Sequence, residues 1–161
     1  MLERGTQLIA ALSLALFATL ALAQAPVRPP YGPEVSLETA KKIGEAAMAE
    51  AKKKSWNVTV AIVDNHGMLI WYQMQDDTQT AAANLSIEKA RTAATLRRPS
   101  KEFEDNIAAG RVAVLGLPGV TPIEGGLPIV VGGKMIGAIG VSGMNSPQDA
   151  EIARAGLDAL K

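Results

Sequence analysis

The chain reads as an α+β protein, an antiparallel sheet of about five strands flanked by helices. Three observations predict it. Two apolar runs, Leu127–Val131 and Met135–Val141, are joined through Gly132-Gly133, a pair that enters the left-handed backbone region of a tight primed turn without steric cost. Trp56, Val58, Val60 and Ile62 alternate with Asn57, Thr59 and Ala61, the period of a half-buried strand. No βαβ repeat of about 30 residues is visible, so a parallel sheet is not expected.

Each element has its own signal. Leu8 to Leu22 is almost wholly apolar, Arg4 precedes it and Ala21-Leu22-Ala23 follows, which reads as a signal peptide of residues 1–23, with an uncleaved membrane anchor as the alternative. Residues 24–34 form a proline-rich linker, expected to be extended or disordered, and the domain runs over 35–161. Ser36 caps a helix whose apolar stripe is Leu37, Ala40, Ile43, Ala47 and Ala51, closed by Lys52-Lys53-Lys54 at the negative pole of the helix dipole. After the Trp56–Ile62 strand, Asp64-Asn65-His66-Gly67 makes a turn and Met68–Gln75 returns as a second strand.

Thr80 to Leu96 reads as a helix with Lys89, Arg91, Arg97 and Arg98 on or just beyond its basic side, stopped by Pro99; Ser100 caps a short helix to Ala109. Val112–Leu115 is a short strand in this reading, followed by a Gly- and Pro-punctuated loop to Gly126 and then the hairpin. A last helix starts with Ser146 as cap and Pro147 at its first position, with Asp149 and Glu151 in the first turn.

Composition excludes several functions. Lysine plus arginine equals aspartate plus glutamate at 16 each, and aromatics are 4%, so a nucleic-acid surface lacks both phosphate-binding charge and stacking platforms. With no cysteine, disulfides, thiolate metal sites, covalent c-type haem attachment and cysteine nucleophiles are all absent. Neither Gly-x-Gly-x-x-Gly nor a P-loop occurs.

His66 is the single histidine. One histidine without cysteine cannot supply the several nitrogen or sulfur ligands of a zinc site, but it suffices as a haem axial ligand, a role open also to Met68, Met74, Met135 and Met144. The plainer readings are a solvent-facing turn residue and flexible core filler. Asp64 suits a turn cap that bonds backbone two residues on. Lys89, Arg91 and Arg97 suit carboxylate-type groups, which arginine grips bidentately, or else form a solvated basic face. Glu124, beside Gly125-Gly126, is the one placed carboxylate for acid–base work. Gly137, Gly140 and Gly143 mark either close helix–sheet packing or the floor of a ligand groove, in which case Gly140 and Ser142 line it.

Taken in order, Val60-Ala61-Ile62-Val63-Asp64, Glu88-Lys89-Ala90-Arg91-Thr92-Ala93-Ala94, Arg98-Pro99-Ser100, Gly125-Gly126-Leu127-Pro128-Ile129 and Gly137-Ala138-Ile139-Gly140-Val141-Ser142-Gly143 resemble the GlcG/HbpS family over about residues 35–161. A related module ends PduO-type corrinoid adenosyltransferases. The resemblance implies a profilin-like sandwich, homo-oligomers and, in exported members, haem binding linked to sequestration or sensing. On this reading the chain is a periplasmic or extracellular protein holding haem or a related tetrapyrrole, with His66 or a methionine on iron and Lys89, Arg91 or Arg97 on the propionates. It has no nucleic-acid partner and no membrane insertion after cleavage. Two alternatives stand beside it: a periplasmic enzyme or accessory protein acting on a small oxygenated organic acid, with Glu124 as acid–base group and Arg91 as carboxylate clamp, and a structural oligomer without ligand.

Overall fold

Ser36 opens the first helix, α1 (Leu37–Lys54): its Oγ accepts the Thr39 N–H at 3.1 Å and so satisfies one of the unpaired donors of the first turn. The computed structural model describes residues 28–161, and the predicted signal peptide of residues 1–23 lies outside the described residues. The stripe Ala40, Ile43, Gly44, Ala47, Met48 and Ala51 is buried, as the helical period predicts.

Four strands follow: β1 (Thr59–Val63), β2 (Leu69–Met74), β3 (Gly126–Val131) and β4 (Lys134–Ser142), ordered β2-β1-β4-β3 and antiparallel throughout. Between β2 and β3 lie α2 (Ala82–Leu96), α3 (Lys101–Ala108) and a 3₁₀ segment (Val112–Gly116); α4 (Ser146–Asp158) closes the chain. Helices α1 and α4 pack on one face of the sheet and α2 on the other, giving three layers. Val60, Ile62, Ile139 and Val141 meet Ile43, Ala47, Ile152 and Ala153 in the larger core. Val63 and Ala138 meet Ala90, Ala93 and Ala94 of α2 in the smaller one.

That layering explains the departures from the sequence reading. All of β1 is buried, where alternation predicted a half-buried strand, because helices cover both faces. Val112–Gly116 is a 3₁₀ turn and not a strand, so the sheet has four strands: the N–H groups of Val114 and Leu117 bond locally to Arg111 and Val114, and Val112 and Leu115 point outward. Ser100 does not cap α3. Its hydroxyl instead accepts the Gly126 N–H at 2.9 Å and donates to the Ile123 carbonyl at 2.6 Å, tying α3 to the start of β3. Asn145 rather than Ser146 caps α4, and the Gln148 side chain reaches back to the Asn145 N–H at 3.2 Å.

The described part of the proline-rich segment is anchored. β1 ends opposite Ala138, leaving Met135 and Ile136 without a neighbour on that side. Pro30 and Gly32 exchange hydrogen bonds with Met135 at 2.9 and 2.7 Å, and the Val35 N–H reaches the Ile136 carbonyl at 2.7 Å.

Glycines at two places carry the geometry. Gly132 and Gly133 both have positive φ, 56° and 75°, in the two-residue turn between β3 and β4. Gly140 lies where α2 presses on β4: a Cβ there would collide with the Ser86 carbonyl oxygen and the Ala90 backbone nitrogen. Both obstacles are backbone and cannot swing aside. Gly140→Ala is therefore expected to destabilise the fold by about 1–3 kcal/mol, the usual cost of overpacking, read as a lower midpoint in chemical denaturation; an unchanged midpoint would show that α2 lifts from the sheet freely.

Candidate functional site

Pro99 ends α2 by disfavouring helical backbone at Arg98, and Arg97 takes the left-handed conformation with φ 54°. For a non-glycine residue this costs on the order of 1 kcal/mol. The result is a corner from which Arg97 and Arg98 project beside the edge strand β3.

At that corner lies an open cleft of ≈ 860 Å³. Arg28, Arg97, Arg98 and Arg111 line it, with Glu102 and Asn106 of α3 on one side. Pro29, Pro99, Pro128 and Val130 give it apolar walls. The Arg97 guanidinium sits over the Tyr31 ring, 5.0 Å from its centroid, and Tyr31 in turn donates its hydroxyl to the Thr95 carbonyl at 3.0 Å. Arg98 lies 4.3 Å over the buried Phe103 ring and 3.6 Å from the Glu102 carboxylate.

Arg98 is the strained charge of the group. Its Nε is buried with no hydrogen-bond partner among the described residues. Burial, and after it the Arg28 charge, pushes its pKa down, while Glu102 works in the other direction. The guanidinium stays a cation, so the cleft concentrates positive charge that its one lining carboxylate does not neutralise.

The other residues singled out in the sequence are placed elsewhere. Lys89 is buried, not on a basic face: its Nζ bonds the Asp149 carboxylate at 2.8 Å and the Val141 carbonyl at 3.1 Å, and both side chains are 2% exposed. Burial pushes the Asp149 carboxyl up, and the Lys89 ammonium opposes that rise. Gly140 faces the backbone of α2, which fills the space a flat ligand would need, and Ser142 is buried at the end of β4. Arg91 is half exposed but committed, bonding Glu88 at 2.7 Å and the Gly67 carbonyl at 3.0 Å.

His66 sits exposed at the β1–β2 turn, its Nδ1 3.1 Å from a Glu34 carboxylate oxygen. Asp64 caps that turn as predicted, its Oδ1 accepting the His66 and Met68 N–H groups at 2.8 and 2.9 Å. Met68 and Met74 are exposed, Met135 is core and Met144 packs against the larger core. The Glu124 N–H is held by Glu104 at 2.7 Å, and Glu124 is not part of the cleft lining.

The structure thus brings Arg97 and Arg98 to a cleft, and adds Arg28 and Arg111, to which the sequence reading assigned no role. The local signal was Arg97-Arg98-Pro99; the other arginines are distant in sequence and converge only through the fold.

These features define an α+β domain with a cationic, apolar-walled cleft at the edge of its sheet. The chain belongs to the HbpS-like family, described as haem degrading protein HbpS-like, which it matches over residues 35–158. It is 44% identical to Protein GlcG of Escherichia coli K12 over 108 residues, covering 67% of this chain and 81% of that one. It is also similar to the corrinoid adenosyltransferase PduO of Salmonella typhimurium, 28% identical over 143 residues, which are 83% of this chain but only 42% of the relative. Among solved structures, a double mutant of Streptomyces reticuli HbpS superposes with a TM-score of 0.75 at 29% identity, covering 85% of this chain and 97% of that one. The PduOC–haem complex gives 0.72 at 26% identity, covering 78% and 94%.

The buried pair makes a prediction of its own. Removing one partner leaves a charge in the core, so Lys89→Met should cost about 3–5 kcal/mol. Lys89→Met combined with Asp149→Leu should recover most of that loss in the same denaturation experiment. Equal loss in the single and the double variant would mean that the pair is not what holds α2 to α4.

Proposed function

We propose that this protein binds haem, or a flat anionic tetrapyrrole of the same kind, in the arginine-lined cleft. The observation that carries the reading is the buried, unpartnered Nε of Arg98 among four converging arginines. A buried donor without a partner costs free energy that a carboxylate recovers, and arginine pairs with carboxylates bidentately. Haem carries two propionates and a broad apolar face. Arg97 and Arg98 hold the propionates in this reading, while Pro99, Pro128 and Val130 lie against the macrocycle. The volume falls within the roughly 300–1,000 Å³ of small-molecule sites.

Bound haem would supply a redox-active iron; the chain's own residues grip the propionates, orient the ring and limit water at its edge. The family description and the haem complex of a relative 26% identical support the choice of haem over other dianions. Residues 1–23 serve as an export signal in this proposal, so that the domain sequesters or senses haem outside the cytoplasm as a homo-oligomer. The exposed Val112, Leu115 and Leu117 provide apolar surface for self-association.

Titration of the purified protein with haemin, followed by the Soret band, tests the site. Charge-assisted hydrogen bonds are worth about 1.5–3 kcal/mol. Arg98→Ala and Arg97→Ala should therefore each weaken binding by roughly tenfold or more, each tenfold step being about 1.4 kcal/mol. Arg91→Ala, whose partners are Glu88 and Gly67, should leave the affinity unchanged. Affinity lost with Arg91 and retained without Arg97 and Arg98 would move the site to the outer face of α2.

A further inference from the structure

We infer that the β1–β2 turn carries a second, separate site, for a divalent first-row transition-metal ion, formed by Glu34, Asp64 and His66. Each of these residues offers one ligand atom, and the three atoms lie within 4.8 Å of one another. Glu34 and His66 line a hollow together with Tyr31, Gly32 and Asn65.

The three side chains are prepared for this in different ways. Asp64 is 6% exposed and its Oδ1 is fixed by two backbone N–H groups, which sets the carboxylate's direction. Its other oxygen has no hydrogen-bond or ion-pair partner among the described residues. Glu34 and His66 are 58% and 73% exposed, so both can turn onto an ion at about 2.0–2.2 Å without repacking the core. The segment carrying Glu34 is held to the turn by the Asn65 Nδ2 donating to the Gly32 carbonyl at 3.0 Å.

Asn65 gives an independent pointer. It is 8% exposed, lines the same hollow, and its amide oxygen is buried without a hydrogen-bond partner. A buried oxygen without a donor, on a residue that lines the hollow with Glu34 and His66, is an arrangement that a cation relieves. Arg91, which reaches the turn, is committed to Glu88 and the Gly67 carbonyl, and among the described residues neither Glu34 nor Asp64 pairs with a lysine or arginine.

A simple His66–Glu34 surface pair would account for one contact and contribute little. It leaves the second Asp64 oxygen and the Asn65 oxygen unexplained. One imidazole nitrogen with two carboxylates is a borderline donor set, suited to Zn²⁺, Mn²⁺ or Fe²⁺ rather than to Ca²⁺, which takes six to eight oxygens. The sequence offered too few nitrogen and sulfur ligands for such an ion; the fold supplies oxygen donors from Glu34 and Asp64 instead.

The test is calorimetric titration of the tag-free, haem-free protein with Zn²⁺. One ion per chain is expected, with affinity reduced at least tenfold in His66→Ala and in Glu34→Gln. Both side chains are exposed, so both variants should fold, and unchanged thermal midpoints in the absence of metal verify it. The Arg98→Ala variant should bind Zn²⁺ as the parent protein does, which separates this site from the arginine cleft. No Zn²⁺ binding by the parent, or equal affinity in the parent and both variants, would overturn the assignment.

Discussion

Helix α2 packs on β1, β3 and β4, and its distance from β4 is set by an absence of atoms at Gly140. With backbone against backbone there, the small residues Ala90, Ala93 and Ala94 of α2 seal the second core against Val63, Met135 and Ala138. The same close approach brings Lys89 within reach of Asp149 across the end of β4. Once α2 is fixed in this way, the place where Pro99 stops it is fixed too, and so is the corner that carries Arg97 and Arg98. The cationic cleft is a consequence of how one helix lies on the sheet.

The chain as a whole is neutral, with 16 basic and 16 acidic residues, so its electrostatics are local. Away from the cleft, charges are spent in pairs such as Lys54 with Glu151, Arg91 with Glu88 and Lys101 with Asp105. At the cleft four arginines meet one lining carboxylate, and the left-handed backbone of Arg97 and the desolvated guanidinium of Arg98 are both unfavourable without a ligand. Strain and unbalanced charge in one place are what the proposed binding site rests on.

Most of the fold was legible. Ser36, the Gly132-Gly133 turn, the Asp64 turn cap and the stop at Pro99 each act through neighbours a few residues away, so sequence alone carries them. What failed depended on distant partners. Ser100 has the identity of a cap, but the Gly126 N–H, far along the chain, claims its hydroxyl. Lys89 looked like a surface cation because nothing nearby in sequence announces Asp149. β1 looked half-buried because alternation cannot tell one covered face from two when small residues such as Ala61 face the second helix layer. The site was legible only at Arg97-Arg98-Pro99; Arg28, Arg111 and Val130 arrive by topology, as does Glu34 beside Asp64 and His66.

The measurement that tests the central claim most directly is amide chemical-shift mapping with gallium protoporphyrin, a diamagnetic stand-in for haem with the same propionates. The account predicts the largest shifts at Arg97, Arg98 and Ser100, at Arg111, and along Ile129–Val130, surrounding the cleft. Shifts centred instead on the Asn65–Met68 turn, or along the outer face of α2 around Arg91, would contradict it.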